Sequence, residues 1–336
     1  MKWLLVGFAA LLLCGAIAAA AAWHQITQNL EPVAAGAEPV IFTVHPGETL
    51  KTVASRLESE GLVRNRRVVE WFGRYHELGN KLRTGEYWVS AAETPGEILA
   101  TLTTGQVATY ELAIPEGFTA AMIARRIEVA KLGNAEEFLA WVHDPKSAEV
   151  HGVEGATLEG YLFPETYRLP KGLGTRETAG VLVSQFLTVW KELEPRAREQ
   201  KISMKDLVTL ASIIEKETGV AEERPLIAAV FLNRMRRGMR LETDPTVIYG
   251  IPNFDGNLRR RDLENPDNPY NTYKIPGLPP GPIANPGRGA LEAVLAPATV
   301  DSLFFVSKND GTHVFSDTYA EHERRVDEYQ RRRRKQ

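Results

Sequence analysis

Cysteine is almost missing from this chain: Cys14 is the single one, so no disulfide can close within it. Leu13 directly before Cys14 is bulky where a lipidation signal has a small residue, which argues against a lipid-modified cysteine. Charge of one sign is also missing. A net charge of −3 at pH 7 over 336 residues gives no electrostatic case for nucleic acid. The one basic cluster, Arg331 to Lys335, reads as a solvated end. The seven histidines form no His-Glu-x-x-His pattern, and His313 and His322 stand nine residues apart, so no metal site is expected. No Gly-rich run leads into Lys-Ser or Lys-Thr, which argues against a phosphate-cradling nucleotide site. No cofactor is implied.

What is present is an ordinary globular composition, 43% hydrophobic and 25% charged, long enough for two or three domains. Trp3 to Trp23 is an uncharged run of about twenty residues, long enough to cross a bilayer. Lys2 before it favours a cytoplasmic N-terminus, and the two tryptophans stand where interfacial aromatics would stand. Residues 1–23 are therefore read as a single-pass anchor in preference to a cleaved signal peptide, the alternative that Ala18 to Ala22 suggests. Residues 24–39, with Pro32, Gly36 and Pro39, read as a linker.

Residues 40–105 alternate short strand and helix signals: a strand at Val40 to Val44, a helix capped by Thr49, a second helix carrying Val68, Val69 and Phe72, and a strand from Glu86 to Val89. This order, opened by Pro46-Gly47-Glu48-Thr49-Leu50, resembles a LysM-like module, a class that binds N-acetylglucosamine-containing glycans. A shift of 70 residues lays Thr49 on Thr119, Val53 on Ile123, Leu57 on Ile127 and Trp71 on Trp141. Residues 106–155 are accordingly expected to be a second strand-helix-helix segment.

Residues 156–336 hold the candidate chemistry. Ser203 opens a helix in which Leu207, Leu210, Ala211 and Ile214 recur at helical spacing. Gly219 is the expected C′ stop, just past Glu215-Lys216-Glu217-Thr218. Glu215 and Glu217 flank the apolar stripe about 200° apart, so at most one can sit squarely in any one groove. A carboxylate bordering an apolar face is the setting that raises its pKa and makes it a usable acid near pH 7. Leu158 to Tyr167, with Glu165 and Tyr167, has the aromatic and carboxylate content of a carbohydrate platform. Another helix is predicted from Thr175, ending at Pro195. Tyr270-Asn271-Thr272-Tyr273 and the proline-stiffened Gly277 to Gly287 suit a preorganised site, and Leu303 to Val306 with His313 to Phe315 read as a hairpin.

Taken together, Ala211 to Thr218, Leu158 to Tyr167, Thr243 to Gly250, Tyr270 to Tyr273, Gly277 to Gly287 and Gly311 to Phe315 resemble the MltG/YceG family of endolytic murein transglycosylases. Two departures are Glu165, where the family usually has Asp, and Leu241-Glu242, where Gln or Ser is more usual before Thr-Asp-Pro. The resemblance implies an enzyme with one acid-base carboxylate, Glu215, and a supporting Glu217. Tyr270, Asn271, Tyr273, Glu165 and Tyr167 would position glycan. It further implies peptidoglycan strands as substrate, wall-synthesis proteins as partners, and a bacterial inner-membrane anchor with the catalytic part on the periplasmic side. The alternatives are a muramidase-type hydrolase and a non-catalytic wall-binding anchor. The expected fold class is α+β: a transmembrane helix, a LysM-like α/β module and a mostly helical catalytic domain with short strands.

Overall fold

The structure, a computed structural model, describes residues 2–331, with side chains at 2–6 and 8–10 outside the description. Beyond Arg331 the basic cluster lies outside the described residues. The fold is α+β, with fourteen α-helices and three two-stranded sheets among the described residues. By its contacts the chain forms two compact units. One comprises the residues up to Tyr110 with Pro170–Gly172, and the other comprises Glu111–Leu169 with the chain from Leu173 onward.

In the first unit, helix α1 spans Lys2–Leu30. It therefore runs well into the segment read as a linker. No glycine or proline interrupts the sequence between Gly15 and Pro32, so nothing ends the helix until a residue before proline is pushed out of the α region. Among the described residues no helix is long and apolar enough to cross a membrane, and the start of the run read as an anchor has no described side chains. Strand β1 (Val40–Val44), α2 (Leu50–Ser59), α3 (Arg66–Tyr75) and β2 (Gly85–Val89) follow in the order expected, with β1 antiparallel to β2 and Ile41 opposite Trp88. Helix α4 (Pro95–Thr104) is absent from the sequence reading, although Thr94 and Glu97 form a capping box with Pro95 in the first turn. Phe42, Val53, Leu57, Val69, Tyr87 and Leu99 fill this unit's core.

The second unit begins within β3 (Thr109–Ala113), which leads into α5 (Ala120–Val129), α6 (Ala135–His143) and α7 (Pro145–His151). The 70-residue correspondence reappears here. Thr49 caps α2 by accepting from Thr52 N, and Thr119 caps α5 by accepting from Met122 N. Val53 and Leu57 are buried, as are Ile123 and Ile127. The tryptophans diverge, since Trp71 is exposed and Trp141 is buried. The pattern therefore conserves a folding unit and not a shared surface.

Strand β4 (Thr166–Pro170) pairs with β3, and α8 follows at Thr175–Glu199. Pro195 does not end α8 as expected. Pro195 is exposed, so water can serve the carbonyl it leaves without a donor, while buried Leu193 and Ala197 carry the apolar stripe across it. Then come α9 (Met204–Glu217), α10 (Arg224–Arg236), α11 (Asp244–Tyr249), α12 (Arg260–Glu264) and α13 (Arg288–Leu295). The hairpin β5 (Phe304–Ser307) and β6 (His313–Ser316) precedes α14 (Tyr319–Val326).

One glycine fixes a close approach. Gly160 has φ +92°, and a Cβ there would lie 2.5 Å from Pro282 and 2.9 Å from Val208 of α9. The proline-rich loop thus rests against α9 at a point where no side chain fits.

Candidate functional site

Helix α9 is held at its start by Ser203, whose hydroxyl accepts from Asp206 N at 3.0 Å. Leu207 to Ile214 are all buried, so the last turn is clamped in the core before the carboxylates emerge. The helix ends on Thr218 in an extended conformation, not on a left-handed Gly219. The Thr218 hydroxyl accepts from Val220 N and donates to Glu223, which supplies the stop that the glycine was expected to give.

The two glutamates face different surroundings. Glu215 Oε1 lies 3.3 Å from Arg224 Nη2, and Oε2 accepts from Gly287 N at 3.0 Å. The same guanidinium nitrogen reaches Glu116 at 3.0 Å. Burial raises the Glu215 carboxyl above its usual range. The Gly287 N–H and Arg224 oppose that rise, and Glu116 adds repulsion.

Glu217 lines an open cavity of ≈ 370 Å³ together with Arg234, Leu241, Glu242, Thr243, Asp244, Tyr273, Phe304, Phe305, Tyr319 and His322. That volume lies in the range of small-ligand sites. The Thr243 hydroxyl donates to Glu217 Oε1. Burial pushes the Glu217 carboxyl up to about 7, with Asp244 adding repulsion and His313 and Arg234 pulling the other way. Among the described residues no arginine or lysine forms an ion pair with it. Arg234, the arginine in the cavity wall, gives its guanidinium to the carbonyls of Leu303 (2.6 Å) and Leu241 (2.7 Å) and pairs with Glu242 at 3.7 Å.

Behind Glu217 lies a pair that sequence reasoning did not single out. Glu223 accepts from His313 N and Nδ1, both at 2.7 Å, and from the Thr218 hydroxyl at 3.0 Å. Burial opposes ionisation of Glu223, yet these hydrogen bonds outweigh it and hold its carboxyl below the usual range. The imidazole is edge-on to Phe305, a lining residue of the cavity, at 5.5 Å. A second missed residue is Glu159. It is fully enclosed and accepts from Ala120 N (3.0 Å), Asn285 Nδ2 (2.9 Å) and the Tyr249 hydroxyl (3.2 Å). Burial pushes its carboxyl up to about 7. The only available sequence signal was a glutamate among Leu158, Gly160, Tyr161 and Leu162, an apolar setting that calls for partners.

The residues expected to position glycan separate. Tyr273 lines the cavity, its hydroxyl donating to Asp244 at 2.8 Å. Tyr270 stacks edge-on with Tyr249 at 4.9 Å. Asn271 is fully buried and gives its amide to the carbonyls of Asp262, Leu263 and Asn265, so it fastens the end of α12. Tyr167 is buried with its hydroxyl on Phe163 O at 2.6 Å. Glu165 is exposed, its carboxylate accepting from Thr166 N at 3.0 Å. Of the five, only Tyr273 lines the cavity with Glu217.

Among the described residues no cluster of His, Cys, Asp and Glu could hold a metal ion. What remains is one carboxyl poised near neutrality in a cavity whose walls are aromatic and acidic, the equipment of acid-base chemistry on a hydroxyl-rich ligand.

Residues 42–328 match the model of the YceG-like family. The chain is 30% identical over 318 residues to an endolytic murein transglycosylase of Bacillus subtilis (strain 168), covering 89% of this chain and 88% of that protein. It is 28% identical over 343 residues to one of Streptococcus pneumoniae serotype 2, covering 91% of this chain and 61% of that longer protein. A crystal structure of a yceG-like protein from Listeria monocytogenes superimposes with a TM-score of 0.60 at 31% identity, covering 85% of this chain and 98% of that one. With the family pattern running through both compact units and over the helix that bears the two glutamates, the chain belongs to the YceG-like family.

Proposed function

We propose that the chain is an endolytic murein transglycosylase, cutting peptidoglycan strands between N-acetylmuramic acid and N-acetylglucosamine, with Glu217 as its acid and then its base. The observation that carries this is the placement of Glu217: on the wall of the cavity, held by Thr243 and pushed up to about 7 by burial. Protonated, it gives its proton to the glycosidic oxygen as that bond breaks and positive charge develops at the muramyl C1. The carboxylate so formed takes the proton from the muramyl C6 hydroxyl, whose oxygen closes on C1 to make a 1,6-anhydro ring. No water enters. One carboxylate serves both steps, unlike the two-carboxylate arrangement of ordinary glycoside hydrolysis.

The sequence reading put the proton on Glu215 and a supporting part on Glu217, and the geometry favours exchanging them. Glu215 is engaged by Arg224 and the Gly287 N–H and does not line the cavity, so its role here is to pin α9 to the start of α13. Tyr273 and the ring faces of Phe304, Phe305 and Tyr319 would flank the sugar.

The anchor belongs to the same proposal. The uncharged run to Trp23, with Leu11, Leu12, Leu13 and Ile17 exposed along α1, supports a single crossing of the bacterial inner membrane that leaves the catalytic unit outside the cytoplasm. Residues 40–105 would act as a LysM-like glycan-binding module, supported by their strand-helix-helix-strand order, and wall-synthesis proteins would be partners because nascent strands are the substrate.

Digestion of purified sacculi, with masses of the released muropeptides, tests this. Wild-type protein is expected to release anhydro ends and Glu217→Gln none. Ends carrying an added water would make the enzyme a hydrolase. Full activity in Glu217→Gln with loss in Glu215→Gln would return the acid to Glu215.

A further inference from the structure

Helix α3 presents two unlike faces. Val69 and Gly73 are buried, and Gly73 takes the Leu50 side chain against its backbone. On the outer side, Arg67, Trp71, Arg74 and Tyr75 share one exposed stripe at spacings of three and four. Trp71 is 50% exposed and Tyr75 71%, with their rings stacked 5.6 Å apart at 20°. Two large aromatics left open between arginines call for an environment that is apolar at one level and charged at the next.

The position of α1 says what that environment is. Along α1, every residue from Leu11 to Gln25 is exposed, Trp23 by 66%. The first half-buried residue is Ile26, in a largely apolar groove of ≈ 390 Å³ whose lining includes Ala22, Asn29, Arg67, Val68 and Trp71. The uncovered apolar run thus gives way to protein within one turn of Trp23. At about 1.5 Å per residue, Ile26 and Asn29 lie roughly 5 and 9 Å beyond Trp23. The interfacial layer on one side of a bilayer is roughly 5–8 Å thick.

From this we infer that the outer stripe of α3 lies in the membrane interface. The groove beside Trp71 takes up lipid glycerol and headgroup atoms with Arg67 at its wall, Tyr75 sits at the same level, and Arg67 meets lipid phosphate together with Arg74, which also pairs with Glu70 at 3.4 Å. The inference rests on the anchor proposed above and adds a second contact that fixes the first unit against the bilayer. An amphipathic helix with aromatics and arginines on one face is the form such contacts take.

The test uses the full chain in phosphatidylglycerol/phosphatidylcholine nanodiscs, with Cys14→Ala removing the native thiol. A spin label at Tyr75→Cys and another, separately, at Ile17→Cys report depth by collision with oxygen and with an aqueous nickel chelate. The expected result is a deep label at 17 and, at 75, loss of nickel collisions relative to the same protein in bilayer-free detergent. A deep label at 17 with an unchanged, water-accessible label at 75 would overturn the inference and leave the anchor standing. Water access at both positions would overturn both.

Discussion

The two flanks of α9 carry the same residue type two positions apart and treat it in opposite ways. Around Glu215 there is a fixed charge lattice: Arg224, Glu116 and a backbone N–H from Gly287. Around Glu217 there is one hydroxyl donor, a neighbouring acid and open volume. Both carboxyls are raised by burial, so desolvation alone does not separate them. The separation comes from what opposes it. A cation and an amide at hydrogen-bond distance favour the ionised form of Glu215, whereas at Glu217 a single hydroxyl leaves the neutral acid within reach near pH 7. A carboxyl that must both give and take a proton needs the second environment, and one that must hold two elements together needs the first.

The sharpest way to break this comparison is to remove each acid in turn. Glu217→Gln should cut strand cleavage by about 10²–10⁴-fold with thermal stability little changed, as loss of a general acid does. Glu215→Gln should do the reverse. Cleavage should survive in part, while unfolding becomes easier by about 1–3 kcal/mol because Arg224 loses its most enclosed partner. Denaturant titration beside a cleavage assay measures both, and equal stability losses in the two variants would erase the distinction.

A pH-dependent stability effect should come from Glu159. Its folded-state pKa of about 7 lies above the ordinary carboxyl value of 4.5, so the folded state holds its proton more tightly. Stability from this group is therefore complete below pH 4.5 and lost as pH rises through about 7, by at most about 3 kcal/mol. Glu217, raised likewise, adds a loss of the same sign. Thermal unfolding of wild type between pH 5 and pH 8 should fall more steeply than that of Glu159→Gln.

The subtlest expected change concerns the alkaline limb of activity. With Glu217 as the proposed acid, cleavage should fail as pH rises through about 7. His313 and Arg234 lower that pKa and Asp244 raises it. Replacing His313 by Ala should move the limb to higher pH, read as kcat/KM against pH. An unmoved limb would mean that the Glu223–His313 pair serves only to stop the helix.

Much of this arrangement was legible in the residues. Ser203, the apolar spacing and the wheel angle between positions 215 and 217 are local, and they place two carboxylates on different flanks of one helix. Their surroundings are not local. Arg224, Gly287 and Thr243 arrive from other parts of the chain, and Thr243 was readable only as a cap for α11, although its hydroxyl goes to Glu217. Asn271 misled for a related reason. A polar residue in a loop suggests a ligand contact, yet a loop with little regular pairing has carbonyls in need of donors, and Asn271 serves three of them. Pro195 shows the limit of a strong local rule, because burial on either side of an exposed proline outweighed the bond it removes.

The close approach at Gly160 has a wider mechanical meaning. A single carbon atom added there would collide with Pro282 and with Val208 of α9, and Asn285 and Gly287 stand only three and five residues further along the same loop. Those two residues seat Glu159 and Glu215 respectively, so position 160 acts as a spacer gauge for two acids it never touches through a side chain of its own.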